Sequence, residues 1–229
     1  MHDGEEMKFW NSVAAIAWKD ILSELRSREI ITSVLVFGLL VLLVFNLVFD
    51  LSSDLMLIAA PGILWVAFAF SGVLALNRAF IPEKEEHCLE GLMGCPVGRE
   101  AIYAGKALGS LFFMLLVEAV MLPVFALFFD INVFRPEFLV MTVLATVGFV
   151  AVGTIFSALA VNTRAREMVL PILFFPVVSP IIIAAVKASA LSLAGQSWSD
   201  MTIWLAITIA FDIIYLTVPF LVFPFIVEE

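Results

Sequence analysis

Long apolar runs alternate with short polar connectors along almost the whole chain. Six runs stand out, at residues 30–49, 56–81, 107–129, 138–161, 168–191 and 201–227. A helix needs roughly 20 apolar residues to cross a hydrocarbon core about 30 Å thick. Each run therefore predicts a membrane-spanning helix, and the last is longer than crossing requires. Residues 9–28 follow a different pattern. Phe9, Trp10, Val13, Ile16, Ala17, Ile21 and Leu25 recur at helical spacing, while Lys19, Asp20, Ser23, Glu24, Arg26 and Ser27 fall mostly off that stripe. An apolar stripe with tryptophans and a charged face predicts a helix lying in the membrane interface. Trp10, Trp18, Arg26 and Arg28 are its candidate interfacial residues. A helix docked on a partner protein would show the same pattern, and both can hold together.

The fold class that follows is an all-α membrane protein of six spans preceded by an amphipathic helix. Residues 1–29 form the N-terminal segment and residues 30–229 the membrane domain. The connectors are too short for a further folded domain. The chain has 229 residues, of which 63% are hydrophobic and 14% charged. Its mean hydropathy is +1.11. A water-soluble domain carries far more charge. No G-x-x-x-x-G-K-[ST] phosphate-binding loop occurs, so any ATP must be bound by a partner. Nothing marks a nucleic-acid partner. The acidic start lacks a cleavable signal pattern.

The net charge is −9, but the distribution matters more than the sum. All Lys and Arg except Arg135 and Lys187 fall before the first span or around the second and fourth connectors. Positive-inside counting then places both termini in the cytoplasm, as for a multi-pass protein of a bacterial inner membrane. Cys88 and Cys95 share the second connector, where a reducing compartment disfavours a disulfide. His87 beside Cys88 fits no four-ligand metal spacing.

The second cytoplasmic connector, at about residues 83–96, carries the strongest functional pattern. Glu83, Glu85, Glu86 and Glu90 surround an apolar ridge of Leu89, Leu92 and Met93 at i, i+3, i+4 spacing. An acidic first turn suits a short helix. Such a ridge has no core of its own, so it predicts docking into a partner groove. A solvated turn held by its charges is the plain alternative. Within the spans, Glu118 and Asp212 stand near mid-membrane. Carboxyls there are costly and usually face the bundle interior or a wet cavity. Lining a route, pairing with a cation and holding a proton are all open to them. Gly105 with Gly109, and Gly148 with Gly153, read as close-packing positions. Pro171, Pro176 and Pro180 predict a bent or broken fifth span, with a short outer helix near residues 181–193, although proline is also common in membrane helices.

Several runs carry a resemblance. They are ELRSRE at 24–29, FNLVFD at 45–50, GILWVAF at 62–68, LNR at 76–78, the connector at 83–96, IYAGK at 102–106 and LPVFAL at 122–127. Together they resemble the CcmB family, permeases of ABC-2-like architecture from cytochrome c maturation. The similarity covers essentially the whole chain and is mostly hydropathic beyond about residue 130. It implies a permease without a catalytic site of its own, paired with a second copy and a CcmA-like ATPase. CcmC-like and CcmD-like membrane proteins and the haem chaperone CcmE are the other implied partners. Haem is then cargo or a handed-over ligand, and ATP belongs to the partner subunit. Both histidines, His2 and His87, are predicted cytoplasmic, which argues against a stable haem site on the outer side. Exporters of a lipid or another amphiphile, and a non-transporting scaffold for haem-handling partners, are the alternative readings.

Overall fold

The structure is a computed structural model that describes residues 2–48, 54–77, 98–160 and 166–226. Among the described residues there are seven helices and no strand. They are α1 (His2–Ser27), α2 (Glu29–Val48), α3 (Asp54–Asn77), α4 (Arg99–Phe129), α5 (Pro136–Ala160), α6 (Arg166–Leu193) and α7 (Trp198–Ile226). Six of these, α2 to α7, are long and apolar enough to cross a bilayer. In hydrocarbon every backbone polar group needs an internal partner, which long helices supply.

α5 is the most enclosed span, and α2 and α7 are the least. Its sequence explains this. Ala145, Gly148, Ala151, Gly153 and Ala158 let neighbours approach closely. Two of its buried hydroxyls are satisfied within the helix: Thr142 Oγ1 donates to Phe138 O at 2.9 Å and Thr154 Oγ1 to Val150 O at 2.8 Å. Small residues and satisfied hydroxyls are the usual means of packing helices in lipid. α5 touches α3, α4, α6 and α7. The common core runs from Leu64 and Phe68 through Met121 and Phe125 to Phe149, Phe174 and Ile181.

Buried side-chain hydrogen bonds tie distant elements. Trp65 Nε1 donates to Ser189 Oγ at 2.9 Å, joining α3 to α6. Tyr103 Oη donates to Ala151 O at 3.1 Å, joining α4 to α5.

The proline-rich span differs from expectation. α6 is one continuous helix through Pro171, Pro176 and Pro180 and ends at Leu193, with no separate outer helix. Proline at 180 cannot donate to the carbonyl of Pro176, four residues back. The Ser179 hydroxyl donates to that carbonyl at 2.9 Å instead. Side-chain hydroxyls commonly restore backbone satisfaction in this way.

Between α1 and α2 a single residue, Arg28, adopts a left-handed conformation with φ 53°. This separates the amphipathic helix from the first span. Asp130 ends α4 in the same region, with φ 51° and its N–H donating to Ala126 O. Aspartate tolerates that conformation better than most residues.

Candidate functional site

At the N-terminal end of α4 the amphipathic helix α1 packs onto the membrane bundle. Gly105 and Gly109 lie one turn apart and form a seat for α1. A Cβ at Gly105 would lie 2.7 Å from Ile16 Cβ, and one at Gly109 would lie 3.2 Å from Asp20 Cβ. Against that seat pack Val13, Ile16 and Ala17, all buried. Lys106 lies between the two glycines and is 3% exposed, and its Nζ sits 3.0 Å from Asp20 Oδ2. A charge so enclosed is tolerated when it is paired.

This arrangement revises the sequence picture in two ways. Lys106 was counted among the connector charges, but it lies beneath α1. The stripe on α1 also divides in two. Val13, Ile16 and Ala17 face α4, whereas Trp10 and Leu25 are exposed, as are Trp18 and Leu22. Arg26 and Arg28 are exposed as well. A single periodic stripe merges the positions that face α4 with those that stay exposed.

α4 touches α1, α2, α3, α5 and α7. It begins directly after the connector that holds Glu83, Glu85, Glu86, Leu89, Glu90, Leu92 and Met93. Those seven residues lie outside the described residues, as do His87, Cys88 and Cys95.

The intramembrane carboxyls are both buried, Glu118 on α4 and Asp212 on α7. Thr146 Oγ1 donates to Glu118 Oε1. The same hydroxyl also lies 2.9 Å from Thr142 O. Asp212 occupies another seam. A Cβ on Gly148 would collide with Asp212 Oδ1 and Ile181 Cδ1. Among the described residues, Asp212 Oδ1 has no hydrogen-bond partner. Positions 146 and 148 point about 160° apart around a helix with 3.6 residues per turn. The two carboxyls therefore address different faces of α5 and do not form one dyad through it.

At the other end of α4, a cavity of about 370 Å³ is lined by Asp130, Ile131, Asn132, Arg135 and Leu193. Arg135 Nη1 donates to Ser192 O at 2.6 Å, and its Nε lies 4.0 Å from Glu137. Nearby, Asn46 Nδ2 donates to Phe128 O at 2.5 Å, satisfying a carbonyl in the last turn of α4. Sequence reasoning missed Asn46, Tyr103, Thr146 and Ser189 as partners. Only their presence as polar positions in apolar helices marked them.

The comparisons with known proteins agree with this architecture. The profile of the CcmB protein family matches residues 11–228. A relative from Pseudomonas aeruginosa named Heme exporter protein B is 28% identical over 173 residues, covering 75% of this chain and 78% of the relative. Its namesake from Paracoccus denitrificans is 31% identical over 153 residues, covering 66% of this chain and 70% of the relative. That from Haemophilus influenzae is 30% identical over 178 residues, covering 77% and 80%. With six spans of this kind and a profile match from α1 to the C-terminus, the chain belongs to the CcmB family.

Proposed function

We propose that this chain is the membrane permease subunit of an ABC transporter complex for cytochrome c maturation. In that complex it couples ATP hydrolysis on a CcmA-like partner to haem export or to release of the haem-loaded chaperone CcmE. Two copies pair in a bacterial inner membrane with both termini cytoplasmic, alongside CcmC-like and CcmD-like proteins. The chain itself carries out no chemistry.

The observation that supports this reading is the position of α4. It follows the connector at about 83–96 and touches five of the other six described helices. A push on the Leu89–Leu92–Met93 ridge by a closing ATPase pair would enter α4 at its first turn. From there it would pass to α1 through the Asp20–Lys106 pair and to α5 through Tyr103 and Ala151. Packed helices move as semi-rigid units, so such a push displaces whole spans. Glu118 and Asp212 act as intramembrane coupling residues in this scheme, each fixing α5 to a different neighbour.

The test is replacement of Leu89 and Leu92 by Asp in the chromosomal copy. The ATPase should no longer co-purify, or its hydrolysis should become uncoupled, and covalent cytochrome c should fall to background. Normal cytochrome c maturation with the ATPase lost from the complex would exclude the transducer role.

A further inference from the structure

The exposed side of α1 has an organisation that docking on α4 leaves unused. At about 100° per residue, Trp10, Ala14, Met7, Leu25, Trp18 and Leu22 fall within an arc of roughly 120°. All are exposed, Trp10 at 63% and Trp18 at 62%. Next to this arc, on the side away from α4, stand Lys8, Lys19 and Arg26. Spacings of 11 and 7 residues bring these three within about 20° of one another. They form a straight cationic row on an exposed surface. Lys19 also lies 3.3 Å from Asp20, itself held by Lys106. Glu24 lies off the row, half-buried on the α4 side.

We propose that this face binds anionic phospholipid headgroups of the leaflet on which α1 lies. The depth is suitable. α1 meets α4 at Gly105 and Gly109, within roughly the first three turns of a span that begins at Glu100. Indoles settle at headgroup level near the ends of membrane spans. The apolar arc then enters the acyl region. Lys8, Lys19 and Arg26 extend along the arc's edge and place their charges at phosphate level. The charge is the reverse of the chain's net −9, so complementarity is local and specific to this row. The glycine seat and the Lys106–Asp20 pair hold α1 in one rotation, which keeps the row aimed at the headgroups.

The test uses the full chain in phosphatidylcholine vesicles containing either brominated phosphatidylglycerol or the same fraction of brominated phosphatidylcholine. The difference in tryptophan quenching between the unaltered chain and W10F/W18F isolates the two exposed indoles. Brominated phosphatidylglycerol should quench them about twofold more than brominated phosphatidylcholine, since each cation near the surface adds attraction. The variant K8Q/K19Q/R26Q, altered only at exposed positions, should bring the ratio to one. Equal quenching by the two lipids in the unaltered chain overturns the proposal. So does absence of quenching by either, which means that protein or water covers the face, or an unchanged ratio in the triple variant. No nucleotide, haem or ATPase enters the measurement, so its failure leaves the transport proposal standing.

Discussion

The ammonium of Lys106 lies 3.0 Å from the carboxylate of Asp20, and it joins the first helix of the chain to its third span. The two residues are unequally placed. Lys106 is 3% exposed, whereas Asp20 is 19% exposed. Removing one member of a buried pair costs far more when the member left behind is the enclosed one.

D20N should therefore lower stability by about 3 kcal/mol, and K106M by clearly less. The double variant D20N/K106M should recover much of the loss, since it leaves no enclosed charge. Thermal unfolding in detergent reads all three. Strict additivity of the single effects would mean that the pair contributes nothing as a pair.

Gly148 and Gly62 make a matched contrast on α5 and α3. A Cβ at Gly148 collides with Asp212 and Ile181, while one at Gly62 meets nothing within 4 Å. G148A should destabilise by about 1–3 kcal/mol through overpacking. G62A should be neutral or stabilise by about 0.5 kcal/mol, because alanine restricts the unfolded chain. The G148A penalty should shrink in a D212A background, with a coupling energy of about 1 kcal/mol in a double-mutant cycle.

Thr146 and Glu118 should respond asymmetrically. T146V removes the hydroxyl that donates to a buried carboxyl and should cost about 1–3 kcal/mol. E118L removes the acceptor, but the Thr146 hydroxyl keeps Thr142 O at 2.9 Å, so its cost should be smaller. E118Q preserves an acceptor and should leave cytochrome c maturation near normal. Abolished maturation in E118Q, with normal amounts of protein in the membrane, would make Glu118 an ion-coupling group instead.

The Trp65–Ser189 crosslink gives a fourth expectation. S189A strands a buried indole N–H and should cost about 1–3 kcal/mol, whereas W65F also removes the donor and should cost less from hydrogen bonding alone. Unfolding midpoints of the two variants, each corrected with a W65F/S189A double variant, decide the order.

The spans were legible because bilayer thickness imposes a run length that no soluble core imitates. The residues that lock the spans together were less legible. Thr146 and Glu118 are each visible as polar positions in apolar helices, yet nothing in local spacing says that they meet. Lys106 read as a connector charge because charge counting sees a residue's position along the chain and not the helix that covers it. For a similar reason, the stripe on α1 merged residues that pack on α4 with residues that stay exposed. Periodicity reports apolar character and cannot say whether protein or lipid receives it. In α6 the three prolines allowed a bend or a break; the helix is unbroken, and the Ser179 hydroxyl, invisible to a proline rule, supplies a donor to the Pro176 carbonyl. The acidic connector was the clearest functional pattern in the sequence, and it falls outside the described residues.

The docking of α1 on α4 also sets an order of events during synthesis. α1 leaves the ribosome first, but its seat at Gly105 and its counter-charge at Lys106 emerge only after two more spans have been made. At roughly 5–20 residues per second this delay lasts several seconds. Through that interval the newborn helix has neither its glycine seat nor the Lys106 counter-charge. Insertion of the third span, and not translation of the first helix, is the moment at which the amino terminus becomes fixed.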